Sequence, residues 1–109
     1  MKEERLQYEC VIWFNNEYPY LRGLLYANNN NSHNAIKGAL NRSMGVISGV
    51  ADMTFLYKKT TTFLEFKTKI GKQSKKQIDW EKVVTFHNFD YHIIRSFDQF
   101  TNIIKNICK

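Results

Sequence analysis

The sequence predicts an α/β (α+β) fold, a mixed central β-sheet flanked by helices, with elements in the order αβαββαβα. Two patterns predict it. Apolar side chains recur at helical spacing in four segments, and four shorter runs are rich in β-branched and aromatic residues. A third observation is that the 109 residues are 43% hydrophobic and 15% aromatic, with two cysteines, so a core can form without disulfides. Residues 1–109 read as one domain, without repeats or a linker.

The first helix is expected over residues 3–17, where Leu6, Cys10, Trp13 and Phe14 share a face and Pro19 follows the end. Residues 20–27 are apolar enough for a strand, and the asparagine run 28–31 reads as a loop. A short helix over 35–44 stops at Gly45. Strands are expected over 51–57 and 61–67, joined by a tight turn at Lys58, Lys59 and Thr60. Ser74 is a suitable N-cap for a helix from Lys75 to about His87, whose buried stripe reads Trp80, Val83, Val84 and His87. A strand over 91–95 and a closing helix over 97–107, with Phe100, Ile103, Ile104 and Ile107 inward, complete the order.

The net charge of +6 is unevenly spread. Residues 58–76 hold seven lysines against the single acid Glu65 and carry that whole excess, while the rest of the chain balances. Such a patch suits a polyanion such as DNA, and it equally suits a solvated hairpin. No apolar run reaches the ~20 residues of a membrane span, and the N-terminus leads into no signal-like stretch. A soluble, intracellular protein is expected.

Side chains alternate along a strand, so Glu65 and Lys67 share a face. A hairpin turning at 58–61 brings Asp52 level with Glu65. Two adjacent carboxylates repel and raise a pKa unless a cation lies between them. A hard divalent ion with oxygen ligands resolves that conflict, and the Phe66 carbonyl is available as a further ligand. Lys67 would then face a water or the scissile phosphate. Gln77 falls on the sheet-facing side of its helix and admits two readings, a partner of the site or a cap of the exposed helix start. Glu4 shares a stripe with Gln7, Val11 and Phe14. On the residues alone, its simpler role is to favour the helix dipole, and Glu3 serves nearly as well. His33, His87 and His92 share no ligand spacing, and Tyr57 and Tyr91 read as core packing.

Glu4-x-x-Gln7, Trp13-Phe14 with Tyr18-Pro19, Gly45-x-x-x-Gly49-x-x-Asp52, Glu65-x-Lys67, Gly71, Ser74-x-x-Gln77 and Arg95-Ser96-Phe97 together resemble the virus-type replication–repair nuclease (VRR-NUC) family. That family is a branch of the PD-(D/E)xK nucleases, and the resemblance runs over nearly the whole chain. It implies a restriction-endonuclease-like core that hydrolyses DNA phosphodiesters with Mg²⁺ or Mn²⁺. By position, Asp52 and Glu65 would be metal ligands, Lys67 the catalytic lysine, Glu4 the helix-one acid near the metal, and Gln77 the glutamine behind the site. Small stand-alone members look like homodimers that cut branched DNA such as four-way junctions, in the cytoplasm of bacteria or phage-infected cells. Two features depart from the pattern. Ala51 stands where the family usually has proline, and residues 28–33 replace an Asn-Gly-Gly loop followed by a base.

Metal-assisted hydrolysis is therefore expected. Lys67 would stabilise charge on the phosphate, and Lys58, Lys59, Lys69, Lys72, Lys75 and Lys76 would hold the DNA backbone. The alternatives are a non-catalytic DNA- or junction-binding module, in which the carboxylates only pair with lysines, and a subunit whose basic hairpin docks on an acidic partner.

Overall fold

The computed structural model describes residues 2–28 and 35–109, leaving aside the side chains of 35–37. Residues 29–31 of the asparagine run and His33 lie outside the described residues. Helix α1 (Glu3–Glu17) leads through a short 3₁₀ turn (Pro19–Leu21) to strand β1 (Leu25–Ala27). Helix α2 (Ala35–Ser43), the hairpin β2 (Met53–Tyr57) and β3 (Thr60–Phe66), helix α3 (Lys75–Phe86), strand β4 (Asp90–Ile94) and helix α4 (Phe97–Ile107) follow. The order and class agree with expectation, and most boundaries move by one or two residues.

The strand expected over 20–27 is a correction. Pro19 fixes the φ of a turn start, and the Leu21 N–H donates to the Tyr18 carbonyl at 2.9 Å, so residues 19–21 coil instead of extending. Only Leu25–Ala27 pairs as a strand.

The sheet order is β1-β2-β3-β4, antiparallel for the first two pairs and parallel between β3 and β4. One face carries Met53, Phe55, Leu64, Phe66 and Ile94, all buried, and is covered by α1 and α4. Leu6, Cys10 and Phe14 of α1 and Phe100 and Ile104 of α4 fill that side. Phe14 meets Phe55 edge-on with ring centroids 5.4 Å apart. The Cys10 thiol is pushed up to about 12 by this burial, which makes it a packing group and not a nucleophile. Among the described residues, no helix is long and apolar enough to cross a membrane.

The opposite face bears Thr54, Phe63, Glu65 and Tyr91 and is covered in part by α3. Of the expected α3 stripe, Val84 is buried and Trp80 packs edge-on to Phe63 with centroids 4.9 Å apart. Val83 and His87 are exposed, a second correction. The inward stripe is Gln77, Trp80, Glu81 and Val84, again at i, i+3, i+4 and i+7. Two of these four are polar, which hid the stripe from a hydrophobic count. They turn inward because polar groups wait for them there.

Candidate active site

The β2–β3 register pairs Met53 with Leu64, so one further step sets Asp52 across from Glu65. Asp52 lies just before β2, at a bend, and its backbone is held from the β1 side. The Asn28 N–H donates to the Asp52 carbonyl at 2.8 Å, and the Asn28 side-chain amide donates to the Ala51 carbonyl at 3.0 Å. That amide also bonds the Thr54 hydroxyl at 2.9 Å. The Asp52 carboxylate accepts from the Phe66 N–H at 2.7 Å. Both backbone groups of a strand residue face the same neighbour, which places the Phe66 carbonyl on the Asp52 side as well.

Glu65 is 1% exposed, an unusual place for a carboxylate. Its Oε2 accepts from the Gln77 side-chain amide at 2.8 Å and stands 3.7 Å from the Lys67 ammonium. Its Oε1 accepts from the Tyr91 hydroxyl at 3.4 Å. Asp52 and Glu65 are near enough for each to act on the other's proton affinity. Desolvation comes first in raising the Glu65 pKa, followed by the Asp52 charge, while Lys67 works against both. Desolvation likewise raises Asp52, and the Phe66 N–H is the main opposing influence. Without a cation, burial and mutual repulsion thus hold both carboxyl groups above their ordinary range.

Gln77 satisfies both readings at once. Its Oε1 accepts from the Ser74 N–H at 2.8 Å while the Ser74 hydroxyl accepts from the Gln77 N–H, a complete capping box. Its remaining amide N–H group is then directed at Glu65. One side chain starts α3 and orients the buried carboxylate.

The two glutamates of the first helical turn separate. Glu3 is half-buried, and its charge reaches both Asp52 and Glu65. Glu4 is exposed and lines a shallow groove with Gln7, Tyr8 and Val11 on another face. The structure therefore brings Glu3, and not Glu4, toward the carboxylate pair, because consecutive helical residues point about 100° apart.

The lysines also divide. Lys67 is buried at the site, and Lys69 and Lys72 are exposed on the segment just beyond it. Lys75 is engaged by Asp79 at 2.9 Å, and Lys76 borders an apolar groove with Arg42, Trp80 and Val83. Lys58 and Lys59 occupy the hairpin tip, where the Lys58 ammonium lies over the Tyr57 ring. Glu65 lies six residue steps along the strand from Lys59, roughly 20 Å. The sequence patch is thus split between two ends of the sheet.

Three residues of the site escaped the sequence reading. Tyr91 does more than pack, since its hydroxyl links Glu65 to Gln73, which in turn donates to Glu81 at 3.0 Å. Asn28 and Arg95 carry no local signal for their long-range bonds to Ala51, Thr54 and Thr68. The parallel pairing of Phe63 with Tyr91 puts Tyr91 and Glu65 on one face, a signal available only once that register is known.

Among the described residues, no group of three His, Cys, Asp or Glu side chains is gathered closely enough to hold a metal ion. The donor set that does exist is two facing carboxylates with raised proton affinity and the Phe66 carbonyl. All are hard oxygen donors. They fit Mg²⁺ or Mn²⁺ ions, which keep several water ligands, and do not suggest a closed zinc or calcium cage.

No protein-family model and no curated protein matches the sequence. A solved structure described as "VRR_NUC domain" aligns over 96% of this chain and 96% of its own, with 20% identity and a TM-score of 0.63. The chain has the fold of a VRR_NUC domain. Within that VRR_NUC fold, Asp52, Glu65, Lys67 and Gln77 gather on one face of the sheet, beside the start of α3.

Proposed function

We propose that this protein is a metal-dependent endonuclease of the VRR-NUC family that hydrolyses DNA phosphodiester bonds. The observation that carries the proposal is the Asp52–Glu65 pair, two carboxyl groups set level on neighbouring strand positions beside the Lys67 ammonium. A fold alone permits many functions, so the reading rests on this site and its chemistry. Asp52, Glu65 and the Phe66 carbonyl would hold Mg²⁺ or Mn²⁺, with Glu3 close enough to add negative charge. The bound ion supplies Lewis acidity toward the phosphoryl oxygen and an acidified water. Lys67 then balances charge that grows on the phosphate, in a site dry enough for that interaction to count. Gln77 and Tyr91 keep Glu65 in one orientation.

Asp52 makes no ion pair with a lysine among the described residues. A purely DNA-binding module in which both carboxylates serve as lysine partners is therefore the weaker reading. Preference for branched DNA, homodimer assembly and a cytoplasmic setting follow from the sequence resemblance to stand-alone VRR-NUC proteins, and they belong to the proposal.

The test uses labelled linear duplex, flap and four-way-junction DNA with Mg²⁺, Mn²⁺ or EDTA. Cutting is expected only with a divalent ion, and Asp52→Asn, Glu65→Gln and Lys67→Ala should each lower it about a hundredfold or more. Cutting in EDTA, or variants as active as wild type, would overturn the mechanism. Tight junction binding with no cleavage under any metal would favour the binding module.

A further inference from the structure

The segment after Lys67 makes a β-turn in which the Gly71 N–H donates to the Thr68 carbonyl at 3.2 Å. Lys69 and Ile70 are its central residues, and Ile70 is 88% exposed, the highest value among the large apolar side chains of the described residues. Turn chemistry favours Gly, Asn, Asp or Ser at the second central position, and a β-branched residue there contributes nothing to the turn. Nor does Ile70 contribute to the core. A position that breaks the local rule without a structural return is a place to look for function.

The turn is firmly braced. The Arg95 guanidinium donates to the Thr68 and Gly71 carbonyls at 2.8 and 2.7 Å, and reaches the Lys69 carbonyl at 3.5 Å. Arg95 is fixed in turn, since its N–H donates to the Gln99 side chain at 2.8 Å and that side chain donates to the Ile93 carbonyl at 2.8 Å. A Cβ at Gly71 would lie 2.8 Å from the Thr68 hydroxyl, so a side chain there would force Thr68 to shift. The same point lies 3.7 Å from the Glu3 carboxylate, so the turn stands directly beside the acidic cluster. Exposed Lys69 and Lys72 flank the apolar tip.

We propose that Ile70 is a wedge that inserts between neighbouring bases of DNA bound at the site, with Lys69 and Lys72 gripping the adjoining phosphates. A rigid apolar tip between two cations matches a ligand that offers stacked apolar faces between two anionic edges. Unstacking is easiest at nicks, junctions and mismatches, so the wedge steers the protein toward deformable or branched DNA. The inference rests on DNA as the ligand of the proposed nuclease.

The test is run in EDTA, where no cleavage is needed. A four-way junction and a linear duplex of matched sequence each carry 2-aminopurine, the junction beside its branch point. Wild-type protein should raise the junction's fluorescence and prefer the junction to the duplex. Ile70→Ala should lose the fluorescence rise and about tenfold of that preference, while Ile70→Phe keeps both. The exposed position leaves the fold of either variant intact, which circular dichroism checks. An Ile70→Ala protein that matches wild type in both readouts would overturn the wedge, as would a wild-type protein that binds neither DNA. Wild-type cleavage with a silent Ile70→Ala sinks the wedge alone. Unstacking through Ile70 by a protein that never cuts supports the wedge and sinks only the nuclease.

Discussion

At the scale of single residues, chemistry is concentrated in side chains that hold two obligations at once. Gln77 caps α3 with its oxygen and orients Glu65 with its nitrogen. Gln77→Ala therefore removes half of the capping box, costing about 1 kcal/mol, and also frees the buried carboxylate. Ser74→Ala costs a similar amount through the same cap but leaves the Gln77–Glu65 contact in place. Comparing the two separates the roles. Both variants should melt a few degrees below wild type, and only Gln77→Ala should lose cleavage, by about tenfold. Equal losses of activity would reduce Gln77 to a helix cap. Glu3 and Glu4 teach a related lesson, since a one-residue choice on a helix moves a carboxylate to another face, and composition cannot make that choice.

At the scale of elements, the close approach of the 45–50 loop to α3 sets how the site is built. Gly49 has φ +90°, and a Cβ there would lie 2.5 Å from the Lys76 carbonyl oxygen and 2.6 Å from its carbon. Gly49→Ala meets both a strained backbone and a backbone wall, and should cost about 1–3 kcal/mol in denaturant unfolding. A variant as stable as wild type would mean that the loop and helix do not pack as described. Helices with continuous apolar faces, α1 and α4, were legible from their spacing, and so was the β2–β3 hairpin that levels Asp52 with Glu65. The α3 stripe departs from the apolar pattern because Gln77 and Glu81 turn inward to meet polar partners. Residues 20–24 depart from the expected strand because Pro19 starts a turn that a hydrophobic count does not register. Tyr91, Asn28 and Arg95 act through register and long-range hydrogen bonds, which depend on where the strands pair and not on any local pattern.

At the scale of the whole molecule, one face of the sheet carries the apolar core and the other carries the proposed site. The α1–α4 side is an apolar core, whereas the α3 side accepts a buried carboxylate that weakens the fold when ionised. In the folded chain, the Glu65 carboxyl keeps its proton to higher pH than in the unfolded chain. Below the ordinary carboxylate range both states are protonated, and the pair is harmless. As pH rises from there through the raised folded value, the unfolded chain loses its proton first, and stability declines. Melting in EDTA should thus fall between pH 5 and about 8, and Asp52→Asn should flatten that fall. A melting temperature that rises over this range in EDTA would contradict the raised proton affinity of Glu65. The central claim, that these facing carboxylates hold a divalent cation, is tested most directly by titrating Mn²⁺ into the protein at neutral pH and following the loss of the free-ion electron paramagnetic resonance signal. Wild-type protein is expected to bind Mn²⁺, and Asp52→Asn and Glu65→Gln to weaken that binding about tenfold or more. Variants that bind Mn²⁺ as wild type does, or a wild-type protein that binds none, would contradict the claim.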